Sequence, residues 1–208
     1  MADEQHSKKC ILGVAARLFA KLGLDKCSTR EIAKESNANI SLISYYFGGK
    51  EGLYREVMLK FALEIKEYVQ IQGDEFKKLP MTKEFFNQKL HEVIETIVLF
   101  RKKYPEVAQI FAREKLTGFE YSKDIHEEIF FPLAQNFFEL IRSAQDAGVV
   151  RSDINPALYF TLLTEGIWGY FLIESCPIPI SKEFLHFKND TEELKKQFFR
   201  IYIEGVLL

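Results

Sequence analysis

Residues 28–54, Ser-Thr-Arg-Glu-Ile-Ala-Lys-Glu-Ser-Asn-Ala-Asn-Ile-Ser-Leu-Ile-Ser-Tyr-Tyr-Phe-Gly-Gly-Lys-Glu-Gly-Leu-Tyr, decide how the rest of the chain is read. Ser28 followed by Glu31 is a capping-box pattern, so a helix begins there, with Ile32 and Ala33 as its apolar face. Asn37-Ala38-Asn39 interrupts it, because Asn side chains compete for backbone hydrogen bonds and favour turns and caps. Asn39 is an N-cap for a second short helix, Ile40 to Tyr46. Phe47-Gly48-Gly49 ends that helix, since Gly tolerates the backbone angles of a tight reversal. Gly49 takes the N-cap place of a third helix opening at Lys50-Glu51. Two short helices joined by a tight turn, the second polar and aromatic on one side, form a helix-turn-helix pattern.

Outward from this stretch, Ile11, Leu12, Ala15, Leu18, Phe19 and Leu22 form an i, i+3, i+4, i+7 stripe on a preceding helix, Lys8 to Leu22, which Gly23 closes. That stripe packs most simply on Ile32, Leu42 or Ile43, and Phe47. Lys50 to about Lys78 reads as one long helix with Leu53, Val57, Phe61 and Ile65 on one face. Leu79-Pro80 breaks it, and Thr82 caps a helix reaching about Lys102 that is apolar on more than one side. Tyr104-Pro105 starts a short helix ended by Thr117-Gly118. Ser122 to Ala147 is helical, with Pro132 kinking or restarting it and Gly148 stopping it. Asn155-Pro156 opens a helix to about Ser175, Ser181 to Asp190 reads as a loop, and Thr191-Glu192-Glu193 opens a final helix to the C-terminus. No segment alternates as a strand does. The expected fold is all-α, with about nine helices.

The run Thr29-Arg30-Glu31-Ile32-Ala33, then Ile43-Ser44-Tyr45-Tyr46-Phe47-Gly48-Gly49-Lys50-Glu51-Gly52-Leu53-Tyr54, resembles the N-terminal domain of TetR-family transcriptional regulators. With the preceding helix the resemblance covers about 45 residues. Its aromatic-Phe-x-x-Lys-Glu-x-Leu tail, running into a long helix, is absent from a generic helix-turn-helix. Ser44 stands where many members carry Tyr, and Gly49 where Ser or Asn is usual. The resemblance implies a small three-helix DNA-binding domain, residues 1–50, and a larger helical ligand-binding and dimerisation domain, residues 51–208. It also implies a homodimer on a pseudo-palindromic double-stranded DNA operator, since two-fold protein symmetry is mirrored in the site. The implied function is a ligand-responsive regulator, most simply a repressor.

The candidate DNA-contacting residues follow from chemistry as well as from the resemblance. Thr29 and Arg30 sit at a helix N-terminus, where free N–H groups and the helix dipole favour phosphate. Lys50 holds the corresponding place on the next helix. Tyr45 and Tyr46 offer hydroxyls to the backbone, while Asn39, Ile40, Ser41, Leu42 and Ser44 lie on the turns that enter the major groove. The helix carries no Arg or Gln, and no Asn beyond Asn39, for a bidentate base contact. Specificity therefore leans on Ser hydroxyls, thymine methyls and DNA shape. The alternative for Tyr45 and Leu42 is to fill the small core.

Charge agrees with this division. The net charge is −2, yet residues 1–60 hold ten Lys/Arg against seven Asp/Glu, +3, leaving 18 against 23, −5, for the remainder. A basic head on an acidic body suits a chain that meets phosphate at one end.

Residues 61–208 contain 17 of the 19 Phe and the single Trp. Aromatic residues fill helical cores, and they also line apolar ligand cavities. In a cavity of the kind the resemblance implies, Phe61, Ile65, Phe100, Tyr104, Phe111, Phe137 and Trp168 are the candidates for a small apolar or aromatic ligand. For a dimer interface the candidates are Leu158, Tyr159, Leu162, Gly166 and Tyr170 on one helix. Leu194, Phe198 and Ile201 join them from the final helix, each stripe having internal packing as its alternative.

No P-loop, G-x-G-x-x-G, G-x-S-x-G or H-E-x-x-H occurs, and the four His are scattered, so no enzyme, metal or cofactor is expected. His126, beside Glu127 and Glu128, reads as solvated helix surface. The three Cys are well separated, as reduced thiols are. Cys27 precedes a helix N-terminus, which lowers a thiol pKa and makes a thiol switch conceivable; a small packed residue is the plainer reading. No run approaches membrane-spanning length and the start is polar, so a cytoplasmic protein is expected. The competing class is a helical protein-interaction module, which explains the apolar stripes but not the residues from Thr29 to Lys50.

Overall fold

The computed structural model describes residues 2–72, 80–188 and 190–207. The chain is all-α, 82% helical and without strands among the described residues. The helices are α1 (Ala2–Lys26), α2 (Thr29–Glu35), α3 (Ile40–Phe47), α4 (Lys50–Gln72), α5 (Lys83–Lys103), α6 (Pro105–Leu116), α7 (Lys123–Ile125), α8 (Phe131–Asp146), α9 (Pro156–Glu174), α10 (Leu185–Lys188) and α11 (Thr191–Phe199). The expected extension of α4 to Lys78, and the break at Leu79, fall on residues outside those described.

The chain divides into two compact units, residues 1–69 with 104–131, and residues 70–103 with 132–208. In the first, α6 packs along α1. Its core is built on Ile11, Ala15 and Phe19 of α1, Ile32 of α2, Ile43 and Phe47 of α3, and Leu53 and Met58 of α4. The second unit is organised around Phe86, Leu90 and Ile94 of α5, Phe137 and Ile141 of α8, Leu163 and Ile167 of α9, and Leu194 and Phe198 of α11.

Local chemistry sets the boundaries. Ser28 and Glu31 form a complete capping box: the Glu31 N–H donates to Ser28 Oγ at 3.2 Å, and the Ser28 N–H donates to Glu31 Oε2 at 3.0 Å. Gly48, at φ 73°, supplies the left-handed residue that closes α3. Asn155 Oδ1 caps α9 by accepting from the N–H groups of Ala157 and Leu158, each at 3.0 Å, with Pro156 in the first helical position. Helix α1 is longer than the stripe from Lys8 to Leu22, but Gly23 breaks it as expected. Its φ of 79° and ψ of 169° lie outside helical space and in a region essentially reserved for glycine.

Two stretches differ from expectation. Residues 181–190 are not simply a loop: a 3₁₀ helix covers Pro179–Phe184 and α10 follows it. Short helical turns of this kind form without the long apolar periodicity that a sequence pattern detects. At Pro132, where a kink or restart is expected, α8 opens at Phe131, but not from a loop. Instead a π-helical turn, His126–Phe130, joins α7 to α8, with the Phe131 N–H reaching back to the His126 carbonyl. Proline lacks an N–H and its ring crowds the carbonyl four residues earlier, and the widened turn accommodates both.

The close approach at Gly52 fixes how α4 leaves α3. A Cβ at Gly52 would lie 1.8 Å from the Phe47 carbonyl oxygen, whereas one at Gly13 meets nothing within 4 Å. Gly52→Ala is therefore expected to destabilise the protein by about 1–3 kcal/mol in thermal unfolding despite alanine's better helix propensity. Gly13→Ala, in the interior of α1, is expected to be neutral or stabilising in the same measurement.

Candidate nucleic-acid interface

Helix α3 separates its two sides cleanly. Ile43 and Phe47, four residues apart, are buried, while Ile40, Ser41, Ser44 and Tyr45 are exposed, Tyr45 at 76%. A side chain that open does not fill the small core, so that alternative for Tyr45 fails. Leu42 and Tyr46 are half-buried. The Tyr46 ring lies edge-on to Tyr45 at 5.1 Å and to Phe47 at 6.0 Å, which props the Tyr45 ring outward from the core. Lys8 of α1 reaches over the Phe47 ring, 5.5 Å from its centre, and pairs with Glu56 at 3.5 Å.

The first turn of α3 is held by its cap. Asn39 Oδ1 accepts from the Ser41 N–H at 3.0 Å and from the Ser41 hydroxyl at 2.8 Å. At the start of α2, Thr29 is half-buried and Arg30 exposed. Arg17 is drawn to Glu35 at 2.6 Å.

Lys50 has a structural task that its sequence position does not announce. Its ammonium donates to the Leu24 carbonyl at 2.9 Å, just past the Gly23 break in α1. Arg113 of α6 does the same one turn earlier, donating to the Ala20 carbonyl at 2.9 Å. Both bonds span distant segments, and no spacing rule signals them. Beside Arg113, the buried Glu114 carboxylate accepts from the Tyr121 N–H at 2.9 Å and the Ser122 hydroxyl at 3.0 Å, and its charge acts on the Tyr54 phenol. Burial first, and the Glu114 charge second, push the Tyr54 phenol well above its usual range.

Cys27 is buried, and burial, reinforced by Glu31, pushes its thiol up rather than down. Desolvation of the thiolate outweighs the opposing Lys50 charge. Cys27 is thus the small packed residue.

The seven ligand candidates fall into separate groups. In the first unit the Phe61 ring lies 5.4 Å from Tyr104 and 5.7 Å from Phe111, the Tyr104 hydroxyl is bonded to Glu64, and Ile65 is half-buried on α4. His126 and Phe130 join this group, their rings 5.6 and 5.4 Å from Phe111. His126 is therefore not solvated helix surface: it is half-buried against Phe119 at 4.2 Å, with Nδ1 on the Ser122 carbonyl at 2.9 Å. In the second unit Phe137 packs on Tyr159 and Phe160, and Phe100 is buried. Trp168 stands 5.9 Å from the buried Arg101 guanidinium, which also faces Phe171 at 5.7 Å. Burial lowers the Arg101 pKa, and Glu174 opposes that shift. Arg101 escapes a pattern search because it opens an Arg-Lys-Lys run in the last turn of α5 that reads as solvated.

The interface candidates divide by orientation. Leu158 at 60%, Leu162 at 57% and Ile201 at 63% are exposed, as is Gly166. Tyr159, Leu194 and Phe198 instead lie inside the second unit's own core, and Tyr170 packs on Phe171 and Phe198. They hold the outer face in place rather than forming it. The approach that Gly166 permits is taken by Tyr202 of the same chain, whose hydroxyl would meet a Cβ there at 1.9 Å and donates to the Leu162 carbonyl at 3.1 Å. Among the described residues no helix is long and apolar enough to cross a membrane.

Residues 11–57 match the profile of the bacterial regulatory proteins, tetR family. Along almost its whole length the chain is similar to the HTH-type transcriptional dual regulator CecR of Shigella flexneri, 27% identical over 98% of this chain and 92% of that one. It is also 42% identical to the probable HTH-type transcriptional regulator YttP of Bacillus subtilis (strain 168), over 26% of this chain and 27% of that one. Among solved structures, the fold is shared with HlyIIR, a hemolysin II transcriptional regulator, at a TM-score of 0.64 and 21% identity over 99% of both chains. It is shared with the ketosteroid transcriptional regulator KstR2 of Mycobacterium tuberculosis at 0.72 and 15% identity, over 97% of this chain and 95% of that one.

The capping box carries a pH dependence. Hydrogen bonds from Ser28 hold the Glu31 carboxyl below the usual carboxylate range. A folded-state value below the unfolded one means that this stabilisation is present above the ordinary carboxylate pKa and is lost as pH falls through the lowered value. Glu31→Gln keeps the capping pattern without the titration. Denaturant melts from neutral pH to about pH 3 are expected to show wild type losing more stability than Glu31→Gln.

Proposed function

We propose that this chain, a TetR-family transcriptional regulator, binds a pseudo-palindromic operator as a homodimer in the cytoplasm, acts as a repressor, and is released by a small apolar or aromatic molecule. The observation that carries the DNA reading is the divided α3: a buried apolar side anchors it, and an exposed side of Ile40, Ser41, Ser44 and Tyr45 is left to meet a major groove. Residues 1–50 serve DNA binding in this reading, and residues 51–208 serve ligand binding and dimerisation. Arg30 and Thr29 take phosphate at the N-terminus of α2, and Tyr45 and Tyr46 add hydroxyl contacts. Lys50 reaches phosphate with the ammonium hydrogens that its bond to Leu24 leaves over.

The ligand reading rests on the ring cluster of Phe61, Tyr104 and Phe111. Phe111 and Arg113 belong to the same helix, α6, and Arg113 holds the end of α1. A ligand wedged among these rings displaces α6, and the DNA-binding head feels it through that bond. Coupling of this kind needs the two states to differ in affinity for both ligand and DNA.

The dimer reading rests on Leu158, Leu162 and Ile201, large apolar side chains left open beside a packed core.

Titration onto duplex fragments from the DNA flanking its own gene, at two salt concentrations, tests the DNA reading. Tight, fragment-selective binding that weakens with salt is expected. Arg30→Ala is expected to reduce the salt slope by about one, the share of a single neutralised phosphate. Tyr45→Ala is expected to weaken binding about tenfold with the melting temperature unchanged, because a ring this exposed supports little of the fold. Equal affinity for every fragment sinks the reading in favour of a protein-docking module. For the interface, Leu158→Glu with Leu162→Glu is expected to halve the mass in analytical ultracentrifugation while the helical circular dichroism is retained.

A further inference from the structure

Resting on the reading of α3 as the helix that enters the major groove, we propose that Asn39 and Ser41 form a locked donor–acceptor pair that reads a single adenine.

The proton positions follow from bonding rules alone. A backbone N–H only donates, so the Asn39 side-chain atom 3.0 Å from the Ser41 nitrogen is the carbonyl oxygen, Oδ1. That oxygen carries no proton. The Ser41 hydroxyl, 2.8 Å from the same atom, is therefore the donor in the second bond. Both residues are exposed, so their remaining groups are open to a partner. Asn39 has only its amide N–H groups left to offer, and Ser41 only oxygen lone pairs.

This removes the contact an asparagine ordinarily makes with adenine, in which carbonyl and amide of one side chain meet N6 and N7 together. It replaces that contact with a divided one. The Asn39 amide donates to an acceptor, and Ser41 Oγ accepts from an amino group. In the major groove guanine offers two acceptors, thymine one acceptor and a methyl, and cytosine one amino group. Adenine alone places an acceptor, N7, beside an amino donor, N6. Ile40, between the two residues and 43% exposed, adds an apolar surface for the methyl of a thymine. Asn39 is thus a positioning residue for Ser41 as well as a reader: its carbonyl decides which way the hydroxyl proton points.

Selection of bound duplexes from a randomised library tests this, using the full-length protein as wild type, Asn39→Asp and Ser41→Ala. Aspartate keeps an acceptor for the cap and removes the outward amide, while Ser41→Ala keeps the backbone bond to Asn39, so both variants retain α3. Wild type is expected to require adenine at one position of each half-site. Both variants are expected to relax that same position by about 5–10-fold while preferences elsewhere persist. A 7-deazaadenine there, lacking the N7 acceptor, is expected to weaken wild type by a similar factor and to leave Asn39→Asp unaffected. Relaxation of different positions by the two variants, a base other than adenine at the shared position, or unchanged preferences overturn the pair while leaving DNA binding intact. A wild type that selects no sequence overturns both the pair and the DNA reading on which it rests.

Discussion

The end of α1 is the point on which the first unit depends. Gly23 breaks the helix, and the carbonyls around the break need donors that the chain nearby does not provide. Two cations from distant segments supply them: Arg113 of α6 takes the Ala20 carbonyl, and Lys50 at the start of α4 takes the Leu24 carbonyl. Charge-assisted bonds of this kind also complement the negative end of a helix dipole. The corner they secure leads directly into Cys27, Ser28 and α2. The placement of the helix-turn-helix is thus a consequence of how α1 stops.

Helix α6 accordingly does more than fill space. Its neighbouring residues Arg113 and Glu114 act in different directions, one on the carbonyls of α1 and the other on Tyr54 of α4 and the 121–122 backbone and side chain. A single short helix therefore bonds to α1 through one residue and acts on α4 through the charge of the next. Polar contacts are directional, so a small rotation of α6 alters both partners at once, where an apolar contact would slide.

The features legible in the sequence are those whose physics acts locally. Ser28 with Glu31, Asn39, Gly48, Pro105 and Asn155-Pro156 each act within a few residues of themselves, and each marks the boundary expected of it. The outward side of α3 is legible only in part: the sequence offers Ser41 and Ser44 to the groove, but the choice between Leu42 and Ile43 and the exposure of Tyr45 depend on packing against the other helices. The burdens of Lys50, Arg113 and Glu114 are not legible, since their partners come from other helices. Helix α9 shows the limit of periodicity most plainly. It is apolar all round, so the pattern does not tell Tyr159, turned into the core, from its neighbour Leu158, turned outward. Nor does it anticipate the π turn before Pro132, whose effect is a spacing of five between the buried residues Ile129 and Ala134 where three or four is usual.

The close approach of Gly52 to the Phe47 carbonyl has a mechanical meaning. Side chains at a helix junction act as springs, because rotamers yield under load and absorb displacement before it passes on. Here the main chain of α4 rests against the main chain at the end of α3 with no side chain between them. Such a joint has almost no slack. A tilt imposed on α4 passes to α3 through backbone contact rather than through a side chain, and the pivot of the pair is a glycine.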